Sequence, residues 1–176
     1  MKKGLLLIFA LIISMGIFAQ KKKRKSYEPN GYVVFENNDT LIGYIKIVDE
    51  IYMQQYAIFF KEGKKKYYRP GDIKTYHVED RVYRREKNDF FEYFESEKIT
   101  GSLFVSFFGK GKARFLAIET EDESYGVVYN FEFKKIAPLA FSDFPEIIEK
   151  IENDTYHKDD IREIFKEIRK IESDNN

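Results

Sequence analysis

Apolar positions divide the chain into three regimes. Leu5 to Phe18 is almost wholly apolar, broken only by Ser14 and Gly16, and follows Met1-Lys2-Lys3. From Gly31 to Lys134, short apolar and aromatic stretches alternate with polar positions at the period of two that suits a half-buried strand. After Pro138 the period becomes that of a helix.

Within the middle regime the turns are written in residue chemistry. Tyr32-Val33-Val34-Phe35, the turn residues Asn37-Asn38-Asp39, and alternating Leu41, Gly43, Ile45 and Ile47 predict a hairpin. Tyr56 to Phe60, a turn at Glu62-Gly63, and Lys65 to Arg69 predict a second, closed by the tight turn Pro70-Gly71-Asp72. Two short strands follow, Ile73 to Val78 and Val82 to Arg85. Phe90 to Glu95 then pairs with Leu103 to Phe108, which is apolar on both faces and so belongs centrally or under a helix. Gly109-Lys110-Gly111 turns the chain into Ala113 to Glu119. Val127, Tyr129, Phe131 and Phe133 alternate with Val128, Asn130, Glu132 and Lys134 and predict a last half-buried strand.

Two helices are predicted beyond it. Ser142 or Asp143 caps the first, with Pro145 in its first turn and Phe144, Ile147, Ile148 and Ile151 on one face. The second aligns Ile161, Ile164, Phe165, Ile168 and Ile171. Arg162, Glu163, Lys166, Glu167 and Lys170 lie outside that stripe, and Asp159 and Asp160 occupy the first turn. The expected fold is α+β: a mainly antiparallel twisted sheet or β-roll followed by two C-terminal α-helices.

The opening apolar run changes the picture of compartment. Its fourteen residues would span about 21 Å as a helix, short of a hydrocarbon core of about 30 Å. Basic start, apolar middle and Ala19 before Gln20 have the form of a cleaved secretory signal. The expected organisation is a signal peptide over 1–19, a basic flexible arm over 20–30, one β-rich domain with its helices over 31–172, and a frayed tail over 173–176. The protein is therefore expected to be exported: periplasmic, outer-membrane-associated or secreted. Lys21-Lys22-Lys23-Arg24-Lys25 opposes translocation of that end, so an uncleaved or inverted anchor stays open as an alternative. The Lys21–Lys25 arm also allows peripheral contact with a membrane.

Charge excludes less than it first promises. The chain of 176 residues has 30 Lys and Arg against 30 Asp and Glu, and losing Lys2 and Lys3 with the signal tips the body to the acidic side. A nucleic-acid binder needs a basic excess, so no nucleic-acid partner is expected. There is no cysteine, hence no thiolate metal site, thiol nucleophile or lipid-acceptor Cys.

No motif assigns catalysis. His77 and His157 stand alone, without HExxH or HxxxH spacing, and no GxSxG elbow is present. Gly109-Lys110-Gly111 is too short to cradle phosphate. The acidic stretch Glu119, Glu121, Asp122 and Glu123 lacks EF-hand spacing and has the character of a solvated loop. No catalytic, cofactor-binding or metal-binding residue is expected, and no cofactor. Asn38-Asp39-Thr40 and Asn153-Asp154-Thr155 match the N-glycosylation triplet. The 17 Phe and 13 Tyr, without Trp, are the compositional oddity. Most should be core, with an exposed aromatic platform as the functional alternative.

Several segments resemble those of one group. Asp39-Thr40-Leu41-Ile42-Gly43-Tyr44-Ile45 resembles the "GDTLxGxI" hairpin of small secreted Bacteroidota proteins, with Asn38 where they have Gly. Tyr67-Tyr68-Arg69-Pro70-Gly71-Asp72-Ile73 is similar to their "YxPxDI" turn. Ser142-Asp143-Phe144-Pro145-Glu146, followed by Lys150-Ile151, resembles their "SDCPELxxKI" helix, with Phe144 in place of Cys. That group is uncharacterised, so the resemblance implies compartment and lineage but transfers no functional residue. It also implies that Asp39-Thr40-Leu41 is similar to the O-glycosylation triplet of such exports.

The function expected from all of this is a non-enzymatic binding or interaction domain of the cell envelope. Its partner would be an envelope protein, a glycan or a small apolar ligand. The alternatives are a carboxylate-dependent hydrolase of envelope glycans, which needs two acids with split pKa values facing one cleft, and a structural protein associating through a sheet edge.

Overall fold

The structure is a computed structural model that describes residues 27–108, 111–127 and 129–175. The signal peptide expected over 1–19 and the arm up to Ser26 lie outside the described residues.

The hairpins form where turn chemistry and alternation place them. β1 (Gly31–Val34) and β2 (Thr40–Lys46) are joined through Asn38, whose φ of 68° is one that Asn tolerates. α1 (Glu50–Gln55) follows, its N-cap Asp49 accepting from the Ile51 amide at 3.2 Å. β3 (Ala57–Lys61) returns as β4 (Lys64–Tyr68) through Glu62 and Gly63, both at positive φ, as a two-residue hairpin loop requires. Next come β5 (Thr75–Val78), β6 (Arg81–Glu86), β7 (Asp89–Glu95), β8 (Thr100–Phe108), β9 (Gly111–Glu119) and β10 (Ser124–Val127). All pair antiparallel in one ten-stranded sheet of order β10-β9-β8-β7-β6-β5-β1-β2-β3-β4.

Three helices close the chain: α2 (Asn130–Ala140), α3 (Pro145–Glu152) and α4 (Ile161–Asp174), the last led by a 3-10 turn at Lys158–Asp160. They cover the inner face of β7 to β10. Phe94, Leu103, Val105, Leu116, Ile118 and Val127 pack there against Phe133, Phe141, Ile147, Ile151, Ile164, Phe165 and Ile168. A second core fills the inner face of β1 to β7, where Val33, Ile45, Phe59, Tyr68, Tyr76, Tyr83 and Phe90 meet Met53 of α1. Among the described residues no helix is long and apolar enough to cross a membrane.

α1 joins the two cores, contributing Ile51 to one and Met53 to the other. β8 pairs with β7 only as far as Leu103. Beyond that point the buried Gln54 amide replaces the missing strand neighbour, donating to the Leu103 carbonyl at 3.4 Å and accepting from the Val105 amide at 3.1 Å.

The α+β class and the antiparallel sheet are as expected, but there are more than two helices. The strand expected at Val127–Phe133 ends at Val127, and α2 takes its place. Phe133, Ala137 and Ala140 are buried at helical spacing, while Tyr129 and Phe131 are 55% and 59% exposed. Pro138, expected to precede the helical regime, sits in the last turn of α2. The cap expected from Ser142 or Asp143 is absent: Phe144 is the N-cap residue of α3, and Asp143 pairs with Lys98 at 2.7 Å. Asp159 and Asp160 belong to the 3-10 turn rather than to the first turn of α4.

Close backbone approach explains two glycines of the first hairpin. A Cβ on Gly31 would lie 2.1 Å from the His77 carbonyl oxygen, and one on Gly43 would lie 2.8 Å from the Phe60 carbonyl oxygen. Gly31→Ala and Gly43→Ala are each expected to lower unfolding free energy by about 1–3 kcal/mol in urea titration. Gly71→Ala, whose Cβ would meet nothing within 4 Å, should stay within about 0.5 kcal/mol of the parent.

Candidate ligand-binding surface

With the inner face of the sheet used for packing, the outer face is where side chains meet solvent. Strand register sets it out in rows. One row carries Arg84, Phe91, Phe104 and Phe115 across β6 to β9. Phe91 and Phe104 stack at 4.7 Å between centroids, 19° from parallel. The adjacent row is Tyr93, Ser102, Ala117 and Gly126, and the next is Glu95, Thr100, Glu119 and Ser124. Small side chains between an aromatic row and a polar row make a trough of about 480 Å³, lined by Phe91, Ser102, Phe104, Phe115, Ala117 and Gly126. On the neighbouring strands β6 and β7 the Arg84 guanidinium lies 4.9 Å over the Tyr93 ring and pairs with Glu95. Burial, then the Glu86 hydrogen bond, push the Tyr93 phenol up to about 12, so it stays a donor at neutral pH.

A second feature lies on the inner side, where α1, β7, β9 and α4 converge. Glu92 occupies an inward position of β7 between Phe90 and Phe94 and is 2% exposed. Arg162 of α4 grips it with both arms, Nε to Oε1 at 2.7 Å and Nη2 to Oε2 at 2.6 Å, and Tyr83 Oη donates to the same carboxylate at 3.4 Å. Arg162 also reaches Glu50 at 2.9 Å; Glu50 accepts from Arg114 at 3.0 Å, and Arg114 reaches Asp159 at 3.1 Å. Burial pushes the Glu50 carboxyl up, but hydrogen bonds from Arg162 and Arg114 outweigh it and hold the group below the ordinary glutamate value. The bond to Glu92 raises Arg162 well above its usual range. A cleft of about 650 Å³ opens beside this seam, lined by Glu50, Lys112, Arg114, Phe115, Tyr129 and Asp159 among others.

Hydrolysis by paired acids needs one carboxyl kept protonated near neutral pH. Glu50 is driven the other way, and the other displaced carboxyls, Asp49, Asp154 and Glu167, are also lowered, each by a hydrogen bond from a lysine. The seam has the form of a structural ion network.

The residues singled out from sequence fall apart from one another. His77 lies on the outer face of β5, stacked on Tyr32 at 4.2 Å, and burial with Arg84 nearby lowers its pKa. His157 caps the 3-10 turn, 3.8 Å from Asp154. Glu119 ends β9, while Glu121, Asp122 and Glu123 sit in the exposed turn that the Thr120 hydroxyl closes onto the Glu123 amide at 3.1 Å. Among the described residues no group of three or more His, Asp or Glu is placed to hold a metal ion. Gly109 and Lys110 lie outside the described residues; Phe108 of β8 pairs with Gly111 of β9. Thr40 and Thr155 of the glycosylation triplets are exposed.

Sequence reasoning missed the seam. Arg162 was expected on the solvent side of α4, yet it faces the sheet. A signal was present in β7, where Glu92 interrupts the inward row Phe90-Glu92-Phe94, a position that demands a cationic partner.

Removing that partner is the decisive perturbation. Arg162→Met is expected to cost about 3–5 kcal/mol in chemical denaturation, because Glu92 stays buried without it; the double variant Arg162→Met/Glu92→Leu should recover most of the loss. Glu50 adds a pH signature. Its folded pKa is depressed, so its contribution is complete above the unfolded value of 4.5 and is lost as pH falls through the folded pKa. Stability of the parent should therefore fall below about pH 4.5, and Arg162→Met should show a shallower acid dependence in pH-resolved urea titrations.

The chain matches no protein-family model, no curated protein and no solved structure.

Proposed function

We propose that this is an exported, non-enzymatic binding domain of the cell envelope, and that the trough on the outer face of β7 to β10 takes an oligosaccharide. The observation that carries this reading is the ordering of rows: three phenylalanines and the small residues Ser102, Ala117 and Gly126 line the trough, and the register places Glu95, Thr100, Glu119 and Ser124 in the next row outside it. A sugar ring has an apolar face of C–H groups and an equator of hydroxyls. Rings that stack on the first and carboxylates or hydroxyls that bond the second are what such a ligand needs. Glu95, Glu119 and Ser124 are exposed beside the trough, within the row that a sugar's hydroxyls would reach once its ring stacks on the phenylalanines, which favours the glycan over the other partners considered.

The sheet arrangement supports the role mechanically. Side chains from β1 to β3 and from β5 to β7 share a single core with Met53, an arrangement suited to a rolled N-terminal half. The trough then sits on strands whose inner face is clamped by three helices, so its aromatic row is held in place before the ligand arrives. Export rests on the apolar opening and the Ala19-Gln20 junction.

Two measurements test the reading. Mass spectrometry of the protein from its native envelope should find a chain beginning at Gln20; recovery from cytosol with Met1-Lys2 still attached would overturn export. Calorimetric titration with oligosaccharides released from peptidoglycan and lipopolysaccharide should show binding that Phe104→Ser or Ala117→Arg weakens by about tenfold or more. Ala117→Arg fills the floor without removing a ring, so loss in both variants, with unfolding transitions near that of the parent, separates ligand loss from misfolding.

A further inference from the structure

The row that gives the trough its floor continues past Tyr93. Strand register carries it through Val82 and His77 to Tyr32 and Ile42, so one line of outward positions crosses the sheet from β10 to β2. Ile42 is 61% exposed, and Tyr32, His77, Val82 and Tyr93 are half-buried. Their strand neighbours Val33, Tyr76, Val78 and Tyr83 are core, and alternation sends the line itself to the outer face.

The far part of this line carries a second aromatic surface. Tyr32 and His77 stack at 4.2 Å, 15° from parallel. Burial, then Arg84, lowers the His77 pKa, so at neutral pH the imidazole is uncharged and presents a ring face as Tyr32 does. In the order β7-β6-β5-β1, three strand intervals separate Tyr93 from Tyr32, about 14 Å in all. Polar groups border this part of the line as they border the trough. Thr75 and Arg84 stand opposite one another in the next row, the row that Phe91 continues on β7.

We infer that the ligand of the trough is a glycan chain that runs across the strands and rests its far units on the Tyr32–His77 stack. This rests on the glycan reading and adds to it a second stacking subsite and the length of the ligand. A pyranose unit is about as long as the gap between neighbouring strands, so successive units of a chain crossing the sheet meet successive strands. Units joined by rotatable bonds also follow the curve of a twisted sheet, which a single rigid ligand cannot. Val82, between the two ring clusters, offers no ring, so the units over it bridge and those at either side anchor. Two anchors on one polymer act at high effective concentration, and affinity rises steeply once a chain reaches both. A cross-strand pair that served only the sheet would make ligand length irrelevant beyond the trough.

Calorimetric titration with oligosaccharides released from peptidoglycan and lipopolysaccharide, separated by length, tests this. Chains of about eight units should bind at least about tenfold more tightly than chains of about four, which cover the trough alone. Tyr32→Ser should remove that gain and leave the affinity for four-unit chains unchanged, whereas Phe104→Ser should weaken both. Val82→Arg blocks the path between the ring clusters without removing a ring, and should abolish the gain as well. If Tyr32→Ser loses its fold along with its cross-strand partner, Val82→Arg alone decides. Equal affinity for both lengths would overturn the inference and leave the trough reading standing, as would a gain that survives Val82→Arg. Absence of binding at every length would overturn both.

Discussion

A single buried carboxylate organises the protein. Glu92 sits in the inner face of the sheet where neighbouring positions are phenylalanine, and an ionised group there would be untenable alone. Arg162 satisfies both of its oxygens from a helix seventy residues later and, through the same guanidinium, reaches Glu50 at the start of α1. One cation therefore links a central strand, the helix between the two cores and the last helix. Apolar contacts are non-directional and by themselves select the register of α4 only through shape. Arg162 meets Glu92 and Glu50 together in only one register, so the ion pair specifies position where packing supplies most of the stability.

That docking commits the inner face of β7 to β10 to packing and leaves the outer face to solvent. In an antiparallel sheet with helices on one side, successive residues of every strand are divided between core and solvent. Outward aromatics such as Phe91, Phe104 and Phe115 are then not surplus core residues. Phe91 and Phe104 stack on one another, Phe115 is exposed beside them, and the small Ser102, Ala117 and Gly126 line the same strip. An aromatic-rich chain without tryptophan can fill two cores and still line a surface, because strand alternation sends nearly as many side chains outward as inward.

Legibility from sequence followed the range of the responsible interaction. Hairpins were legible because turn residues and alternation act locally: Asn37-Asn38-Asp39 and Glu62-Gly63 stand where the chain reverses. α2 was not, because Tyr129, Phe131 and Phe133 alternate as a strand would. What overrides the alternation is the burial of Phe133, Ala137 and Ala140 on the inner face, a tertiary effect whose helical spacing is carried by two small alanines. Pro138 misled for a related reason, since near a helix terminus it removes only one backbone bond. The ion seam was the least legible element: Glu50, Glu92, Arg114 and Arg162 are scattered over more than one hundred positions, and only Glu92 betrays itself by interrupting an inward apolar row.

The sheet order also sets the charge of its two ends. β4 and β10 are the terminal strands, so the β3–β4 hairpin and the phenylalanine trough stand at opposite ends of one sheet. From Tyr27 to Lys74 basic and acidic residues number seven each, whereas after Lys74 the acids lead by 23 to 16. The acidic excess therefore falls on the part of the chain that supplies β5 to β10 and the three closing helices. A field of that sign disfavours an anionic ligand at the trough and leaves a neutral one unopposed.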